Sequence, residues 1–458
     1  MYQKNYHIHF VGIGGIGMSG IAELLLGLGY RVSGSDVNAS DITRRLQELG
    51  ATVHTGHHRD QIKGASVIVT STAISPDNPE VTAAREQSVP IIPRAEMLAE
   101  LMRIKYAIAI SGAHGKTSTT SMVAHILDRA GLDPTVVIGG LLKHLNTNAL
   151  QGKGAYIVAE ADESDGSFLK YSPAIAAVTN IDLEHLDYYT GIEDIKSKFK
   201  QFINSVPFYG LAVVCLDNEH IQDILPDIRV RYTTFGLTAQ ADLRARDIEF
   251  DGIKSSFTVV HKGNSLGSIA LNLSGRHNIS NALAAIAVAL ELNIQFPTIK
   301  GALEDIDGVK RRLEIKGEAK GILVMDDYGH HPTEIKATLK AIRESRPDRR
   351  VVVIFQPHRY SRTQALFDAF TRAFYQSDIL MVLPIYAASE TPIKGVTSQT
   401  LCRGITAHGH KEVFHVKSVE QCLTVLMETV KPNDLVLTLG AGDVYRLGET
   451  FVKKLGEN

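Results

Sequence analysis

Short apolar runs rich in Ile, Val and Ala recur along the chain, each followed by a turn and then a helical stretch. In the first hundred or so residues, His7–Val11, Tyr30–Gly34 and Ser66–Thr70 predict strands. Between them, Met18–Leu28, closed by Gly29, and Ile42–Leu49, stopped by Gly50, predict helices. The polar turn Ser75-Pro76-Asp77-Asn78-Pro79 precedes a short helix, and Pro93 opens another over Arg94–Met102. Strands that alternate with helices in this way form a parallel sheet with helices on its faces.

The alternation resumes with Ala107–Ile110, Thr135–Ile138, Tyr156–Ala159, Ala174–Val178 and Leu211–Cys215. Between Arg229 and Ser274 it gives way to short alternating segments with glycine turns, as in Ile248-Glu249-Phe250-Asp251-Gly252, which predicts an antiparallel flap. The apolar helix Asn278–Leu292 closes this stretch. Beyond it, Ile322–Met325, Val351–Phe355, Ile379–Leu383 and Leu435–Leu439 predict a further parallel sheet. A chain of 458 residues is too long for one compact core. The expected fold is therefore α/β with three domains, over residues 1–104, 105–309 and 310–458.

Composition narrows the class. With 44% hydrophobic and 21% charged residues the chain is an ordinary globular one. A formal net charge of −2 gives no electrostatic case for nucleic acid or an anionic membrane as partner. Cys215, Cys402 and Cys422 lie far apart without metal-ligand spacing, as thiols in a reducing cytoplasm do. No apolar run approaches the length of a membrane span, and the N-terminal run is broken by glycines, unlike a secretory signal. The expected location is the cytoplasm.

Two of the turns are glycine loops of the kind that hold phosphate. Gly12-Ile13-Gly14-Gly15-Ile16-Gly17 follows the first strand, and Ser111-Gly112-Ala113-His114-Gly115-Lys116-Thr117 follows Tyr106–Ile110. A helix N-terminus offers free backbone N–H groups and the positive end of its dipole, so both loops suit an anion. The first has the full dinucleotide fingerprint, Gly12, Gly14 and Gly17 with Asp36 about twenty residues on, and adds Gly15. It predicts a diphosphate site and leaves open which nucleotide carries it. Only the second loop adds Lys116, Thr117 and Ser118, a lysine and hydroxyls that hold a transferable phosphate and its magnesium ion. Its two glycines stand closer together than in the common motif, but the lysine still opens the helix.

Three further clusters end strands. In Glu160-Ala161-Asp162-Glu163-Ser164-Asp165 crowded carboxylates repel one another unless a cation compensates them, which predicts a magnesium ligand. Glu160, nearest the strand, is the candidate. In Thr179-Asn180-Ile181-Asp182-Leu183-Glu184-His185-Leu186-Asp187-Tyr188, spacing alone leaves His185 equally a ligand or a structural hydrogen-bonding residue. Asp326-Asp327-Tyr328-Gly329-His330-His331 and Gln356-Pro357-His358-Arg359-Tyr360-Ser361-Arg362 end strands of the last sheet, at the edge where open sheets take ligands. Paired arginines there suit a carboxylate or phosphate.

Together these motifs resemble the Mur ligase family over essentially the whole chain, from His9-Phe10-Val11-Gly12-Ile13-Gly14-Gly15-Ile16-Gly17-Met18-Ser19-Gly20 to Leu439-Gly440-Ala441-Gly442-Asp443. The resemblance implies an N-terminal Rossmann-like domain, a central P-loop ATP-binding domain with the flap, and a C-terminal Rossmann-like domain. It implies ATP and Mg2+ as cofactors and the joining of L-alanine to the lactyl carboxylate of UDP-N-acetylmuramate through an acyl phosphate. Gly12, Gly14, Gly15 and Gly17 would then hold the UDP-sugar. Gly112, Ala113, His114, Gly115, Lys116, Thr117 and Ser118 would hold the ATP phosphates, with Thr117 and Glu160 on one magnesium ion and His185 on a second. His277 and Asn281, in Gly275-Arg276-His277-Asn278-Ile279-Ser280-Asn281, match adenine-binding positions, and Arg312 and Asp327 match residues that reach ATP from the last domain. Tyr328, His330, Arg359 and Arg362 resemble those around the acceptor amino acid and muramyl group. Lys116, His185, Arg312, Arg359 and Arg362 would carry the catalysis. Ala113 replaces a commoner threonine, but its backbone N–H is the group that matters.

The implied partners are small molecules, with no nucleic acid and no membrane, for a monomer or homodimer. The ATP loop and the arginines fall in different domains, so closure is expected about Asp307-Gly308-Val309-Lys310. Three other readings compete. A nicotinamide-dependent dehydrogenase leaves Lys116, Thr117 and Glu160 without purpose, and a nucleotide sensor needs no acceptor site. A related ligase that attaches a recycled tripeptide to the same sugar nucleotide differs in the first loop and around Arg359.

Overall fold

The computed structural model of the chain describes residues 6–71, 73–138, 149–186, 188–306 and 310–457. Near the N-terminus β1 (His7–Val11), β2 (Arg31–Asp36), β3 (Thr52–Thr55), β4 (Val67–Thr70) and β5 (Ile91–Pro93) form a sheet in the order β3-β2-β1-β4-β5. Every neighbouring pair is parallel. All of β1 is buried, as a central strand with helices on both faces must be. Chain order reverses between β1 and β4, so the glycine loop after β1 falls at the switch point where such sheets bind ligands.

Gly34 on β2 lies hard against β1. A Cβ there would come within 2.6 Å of the Phe10 carbonyl oxygen and 2.7 Å of the Ile13 side chain. Gly34→Ala therefore overpacks a paired backbone that has nowhere to move, and we expect a loss of about 1–3 kcal/mol. Urea unfolding should show it as an earlier midpoint; an unchanged midpoint would mean that the strands spread without penalty.

The central sheet contains β6 (Tyr106–Ser111), β7 (Thr135–Val137), β8 (Ala149–Leu150), β9 (Tyr156–Glu160), β10 (Ile175–Val178), β11 (Leu211–Cys215), β12 (Tyr232–Gly236), β13 (Leu243–Asp251), β14 (Lys254–His261) and β15 (Asn264–Leu271). Their order is β15-β14-β13-β12-β11-β10-β6-β9-β7-β8. The flap starts later than the sequence pattern suggests. Tyr232–Gly236 pairs in parallel with β11, and its end pairs in parallel with Leu243 and Arg244. Its threonines disguise it: the Thr234 hydroxyl donates to Asp242 at 2.7 Å, which lets a polar residue sit inside a parallel strand. The meander comprises only β13, β14 and β15, joined by the two-residue turns Gly252-Ile253 and Lys262-Gly263. Both residues of the second turn have positive φ, 47° and 85°, as the tightest hairpin turns require.

The last sheet consists of β16 (Glu314–Ala319), β17 (Ile322–Asp327), β18 (Arg350–Phe355), β19 (Ile379–Val382), β20 (Val413–His415) and β21 (Asp434–Leu439), in the order β16-β17-β21-β18-β19-β20. Only β16 is antiparallel to its neighbour. Leu323, Met325, Val351 and Val353 face one core, and Ile322, Val324, Val352 and Ile354 face the other, so alternate residues serve opposite sides.

By packing, the chain forms two compact units: Met1–Arg244 with Val259–Leu266 and Ser280–Leu303, and Ala245–Thr258 with Gly267–Ile279 and Glu304–Asn458. Asp307, Gly308 and Val309 of the expected hinge lie outside the described residues, as does Asp187. The three cysteines are free and buried. Among the described residues no helix is long and apolar enough to cross a membrane.

Candidate active site

In the first unit, the loop after β1 is held by the end of β2. The N–H groups of Gly12 and Ile13 donate to the Ser35 carbonyl at 2.8 and 2.9 Å, and Gly14 N–H donates to the Asp36 carboxylate at 2.9 Å. Asp36 thus braces the glycine loop itself, a use that the fingerprint's spacing does not reveal. Arg94 was not singled out by the sequence, yet it runs so close to Gly17 that a Cβ there would lie 3.1 Å from its guanidinium.

The second loop, between β6 and the helix Lys116–Arg129, is held by the residues after β10. Asn180 accepts from His114 N–H at 2.8 Å and donates back to the His114 carbonyl at 2.9 Å; Thr179 donates to the same carbonyl at 2.6 Å. The approach is so close that Gly112, at φ 133°, could carry no side chain: a Cβ would lie 2.1 Å from the Thr179 hydroxyl. Asn281 lines the other side, where a Cβ on Gly115 would fall 2.5 Å from its Oδ1. His114 meets Asp182 at 2.9 Å. Ala113 lies in this same turn, and Ser118 is buried in the helix.

Lys116 opens that helix with its ammonium nearly buried. It donates to both oxygens of Glu163, at 2.8 and 2.9 Å, and to the Gly112 carbonyl at 2.7 Å. Burial alone would lower its pKa, but Glu163, Asp162 and Glu160 outweigh burial and hold it protonated. The counter-charge that a buried lysine demands is thus supplied within the protein, by a carboxylate that the sequence reading passed over. Asp162 is likewise held below the usual carboxylate range, with the nearby lysine overcoming its burial.

The Thr117 hydroxyl donates to Glu160 at 3.1 and 3.2 Å. His185 adopts φ 55°, and its Nε2 stands 3.6 Å from Glu163 and 3.9 Å from Glu184. Burial would lower its pKa, yet the two carboxylates raise it above the ordinary value. Glu163, Glu184 and His185 offer ligand atoms within 4.8 Å of one another. Two carboxylates with an imidazole, beside the Thr117–Glu160 oxygen pair, suit a divalent cation, so the residues present fit magnesium.

In the second unit, β17 and β18 both flank β21, which brings their carboxyl ends to one edge. Asp327 accepts from Leu313 N–H at 2.9 Å, Gly329 N–H at 2.8 Å and the Thr338 hydroxyl at 3.2 Å. Its carboxylate ties two turns together, and burial raises its pKa. Arg312 lies 3.6 Å from Glu334, with its guanidinium 5.4 Å from the Tyr328 ring centre. Its neighbour Arg311, unassigned in the sequence reading, is held between Tyr328 and Tyr445 and bonded to Asp326 at 3.0 Å. His277 is half-buried, and desolvation of its ring, with Arg312 adding to it, pushes it down to about 4.

Tyr328, His330, His358 and Tyr386 form a run of rings. His330 packs edge-on to Tyr328 and 5.9 Å from His358, which stacks on Tyr386 at 5.3 Å. Burial, reinforced by His330, Arg362 and Arg359, pushes His358 down to about 4, so it is neutral near pH 7. Arg359 sits at φ 71° and donates its N–H to the Tyr386 carbonyl at 2.8 Å; the Arg362 guanidinium lies 3.4 Å from His358. The structure thus gathers Tyr328, His330, Arg359 and Arg362, and adds His358 and Tyr386. Tyr386 lies beyond any local motif and could not have been found from spacing.

Three open, largely parallel sheets, with glycine loops opening helices on two of them, define an α/β protein built to handle nucleotides. Family models match along the chain: the Mur ligase family catalytic domain over 7–106, the Mur ligase middle domain over 110–289, and the Mur ligase glutamate ligase domain over 311–442. The chain belongs to the Mur ligase family and is an ATP-dependent ligase. A UDP-N-acetylmuramate–L-alanine ligase of Desulforapulum autotrophicum is 73% identical over 99% of this chain and all of its own. The crystal structure of a UDP-N-acetylmuramate–alanine ligase from Thermotoga maritima superposes with a TM-score of 0.81 at 30% identity, over 98% of this chain and 99% of that one. A murein peptide ligase from Psychrobacter arcticus gives 0.70 at 25% identity, over 99% of each chain.

Proposed function

We propose that the protein joins L-alanine to the lactyl carboxylate of UDP-N-acetylmuramate in peptidoglycan precursor synthesis, converting ATP to ADP and phosphate. A carboxylate is a poor acyl donor because its leaving group would be oxide. Its oxygen therefore attacks the γ-phosphorus of ATP and ADP departs. The amine of alanine then attacks the acyl carbon, phosphate leaves, and the amine gives up a proton. The observation that carries this reading is Lys116 and Thr117 at a helix start beside Glu160, in a chain matched end to end by an alanine ligase.

In this reading the domains run over 1–104, 105–309 and 310–458. Gly12, Gly14, Gly15 and Gly17 hold the UDP-sugar diphosphate. Gly112 to Ser118 cradle the ATP phosphates, and Lys116 neutralises charge on the phosphoryl group as it moves. Thr117 and Glu160 would hold one magnesium ion and His185 another; such ions screen phosphate charge during transfer. His277, Asn281, Arg312 and Asp327 serve ATP, with neutral His277 suited to an uncharged adenine. Tyr328, His330, Arg359 and Arg362 receive the acceptor carboxylate and the muramyl group. The enzyme works in the cytoplasm, as a monomer or homodimer, with no nucleic acid or membrane partner.

Phosphate release with UDP-N-acetylmuramate and each amino acid in turn tests the reading. Release that depends on L-alanine is expected. Release that depends on a tripeptide would favour the peptide ligase, as would release without any acceptor favour a different activity altogether. His185→Ala should slow the reaction and raise the magnesium concentration needed for half-maximal rate by about 10-fold or more. Parental magnesium dependence in that variant would make His185 a structural residue of its turn.

A further inference from the structure

One face of the N-terminal sheet carries a buried polar chain that the reaction does not use. His7 Nε2 meets the Ser33 hydroxyl at 2.7 Å, Ser33 meets His9 Nδ1 at 2.7 Å, and His9 Nε2 meets Glu80 at 2.9 Å. The side chains of His9 and Glu80 have no exposed surface. Glu80 also accepts from the Ser35 hydroxyl at 2.7 Å, His57 Nδ1 at 3.1 Å and the His58 N–H at 3.3 Å. Burial raises the pKa of such a carboxyl, but the histidine and serine donors prevail and keep it below the usual range.

Stability alone does not call for this arrangement. The helix of Glu80 also gives Ala83 and Ala84 to an apolar cluster with Val11, Ile62 and Ile68, and apolar residues commonly replace buried charges without loss. What the carboxylate does is connect. Ser35 gives its hydroxyl to Glu80 while its carbonyl receives the N–H groups of Gly12 and Ile13. His57 and His58 belong to the turn after β3. Glu80 itself begins the helix Pro79–Glu86, whose preceding segment carries Ile74 over Gly12, where a Cβ would lie 3.2 Å away. One carboxylate thus ties together the floor of the first glycine loop and the segment that covers it.

We propose that Glu80 is a positioning residue for that loop, setting the backbone that receives the diphosphate of the UDP-sugar. The proposal rests on the substrate reading above. Isothermal titration with UDP-N-acetylmuramate and full steady-state kinetics test it on the whole enzyme. Glu80→Gln keeps the shape but turns an amide N–H toward groups that donate. The expected result is a rise of about 10-fold in Kd and KM for the UDP-sugar, the scale on which a misplaced binding group acts. KM for ATP and for alanine, and kcat at saturation, should stay at parental values. Val81→Ala, buried on the same helix but able to make none of these bonds, should lower Tm with UDP-sugar affinity intact.

Should Glu80→Gln fail to fold, Ser35→Ala removes only the link between carboxylate and loop and should weaken UDP-sugar binding by a similar factor. Parental affinity in either folded variant would overturn the proposal, as would all three KM values rising together. A parent enzyme that does not bind UDP-N-acetylmuramate at all would instead overturn the substrate reading, and the two failures are told apart by the parent's own titration.

Discussion

Lys116→Ala is expected to lower kcat by about 10²–10³-fold or more while UDP-N-acetylmuramate still binds. In the proposed assignment the ammonium of Lys116 is the cation that meets the ATP phosphates, and no other lysine or arginine stands in that turn. In the structure it is clasped by Glu163, so on the proposed reading the ATP phosphates share or displace a carboxylate to reach it. Removing the lysine leaves Glu163 buried beside Asp162 without its cation, and some loss of stability should accompany the loss of rate. In the proposed assignment the UDP-sugar loop lies on another sheet, so titration with UDP-N-acetylmuramate reports whether the variant is folded. Equal loss of turnover and of UDP-sugar binding in a folded variant would mean that the two loops do not serve separate ligands.

The two glycine loops were legible in the sequence because each is local: strand, turn and helix start lie within about twenty residues. Strands were legible where both faces are covered, as in Val351–Phe355 and Leu435–Leu439, whose residues are all buried. The strands that escaped are mostly those at sheet edges. Thr52–Thr55, Ile91–Pro93, Ala149–Leu150, Glu314–Ala319 and Val413–His415 each end a sheet. Such strands have one neighbour and partial exposure, so they need no apolar run and leave no pattern.

The same limit applied to the site. Among four carboxylates in the run that starts at the end of β9, spacing could favour Glu160 but could not show that Glu163 turns back to Lys116. Asn180, Tyr386 and Glu80 act on residues at least 22 positions away, through strand order and register that no local motif encodes. Residues whose partners are distant in sequence become visible only once the sheets are assembled.

Glu160→Gln should cost about 10²-fold in kcat and raise the magnesium requirement. Glu160 ends β9 directly opposite Ile110 of β6, so strand register alone sets it beside the start of the second glycine loop. Its oxygens already take the Thr117 hydroxyl at 3.1 and 3.2 Å, which places a hydroxyl and a carboxylate, two hard donors, at one point. Glutamine keeps the size and one acceptor but loses the charge, so the fold and the Thr117 contact should survive while cation affinity falls. Excess magnesium should then restore part of the rate, and UDP-sugar binding should be untouched. A rate loss with parental magnesium dependence would separate Glu160 from the cation and shift that role to the Glu163, Glu184 and His185 cluster, whose variants would then carry the magnesium effect instead.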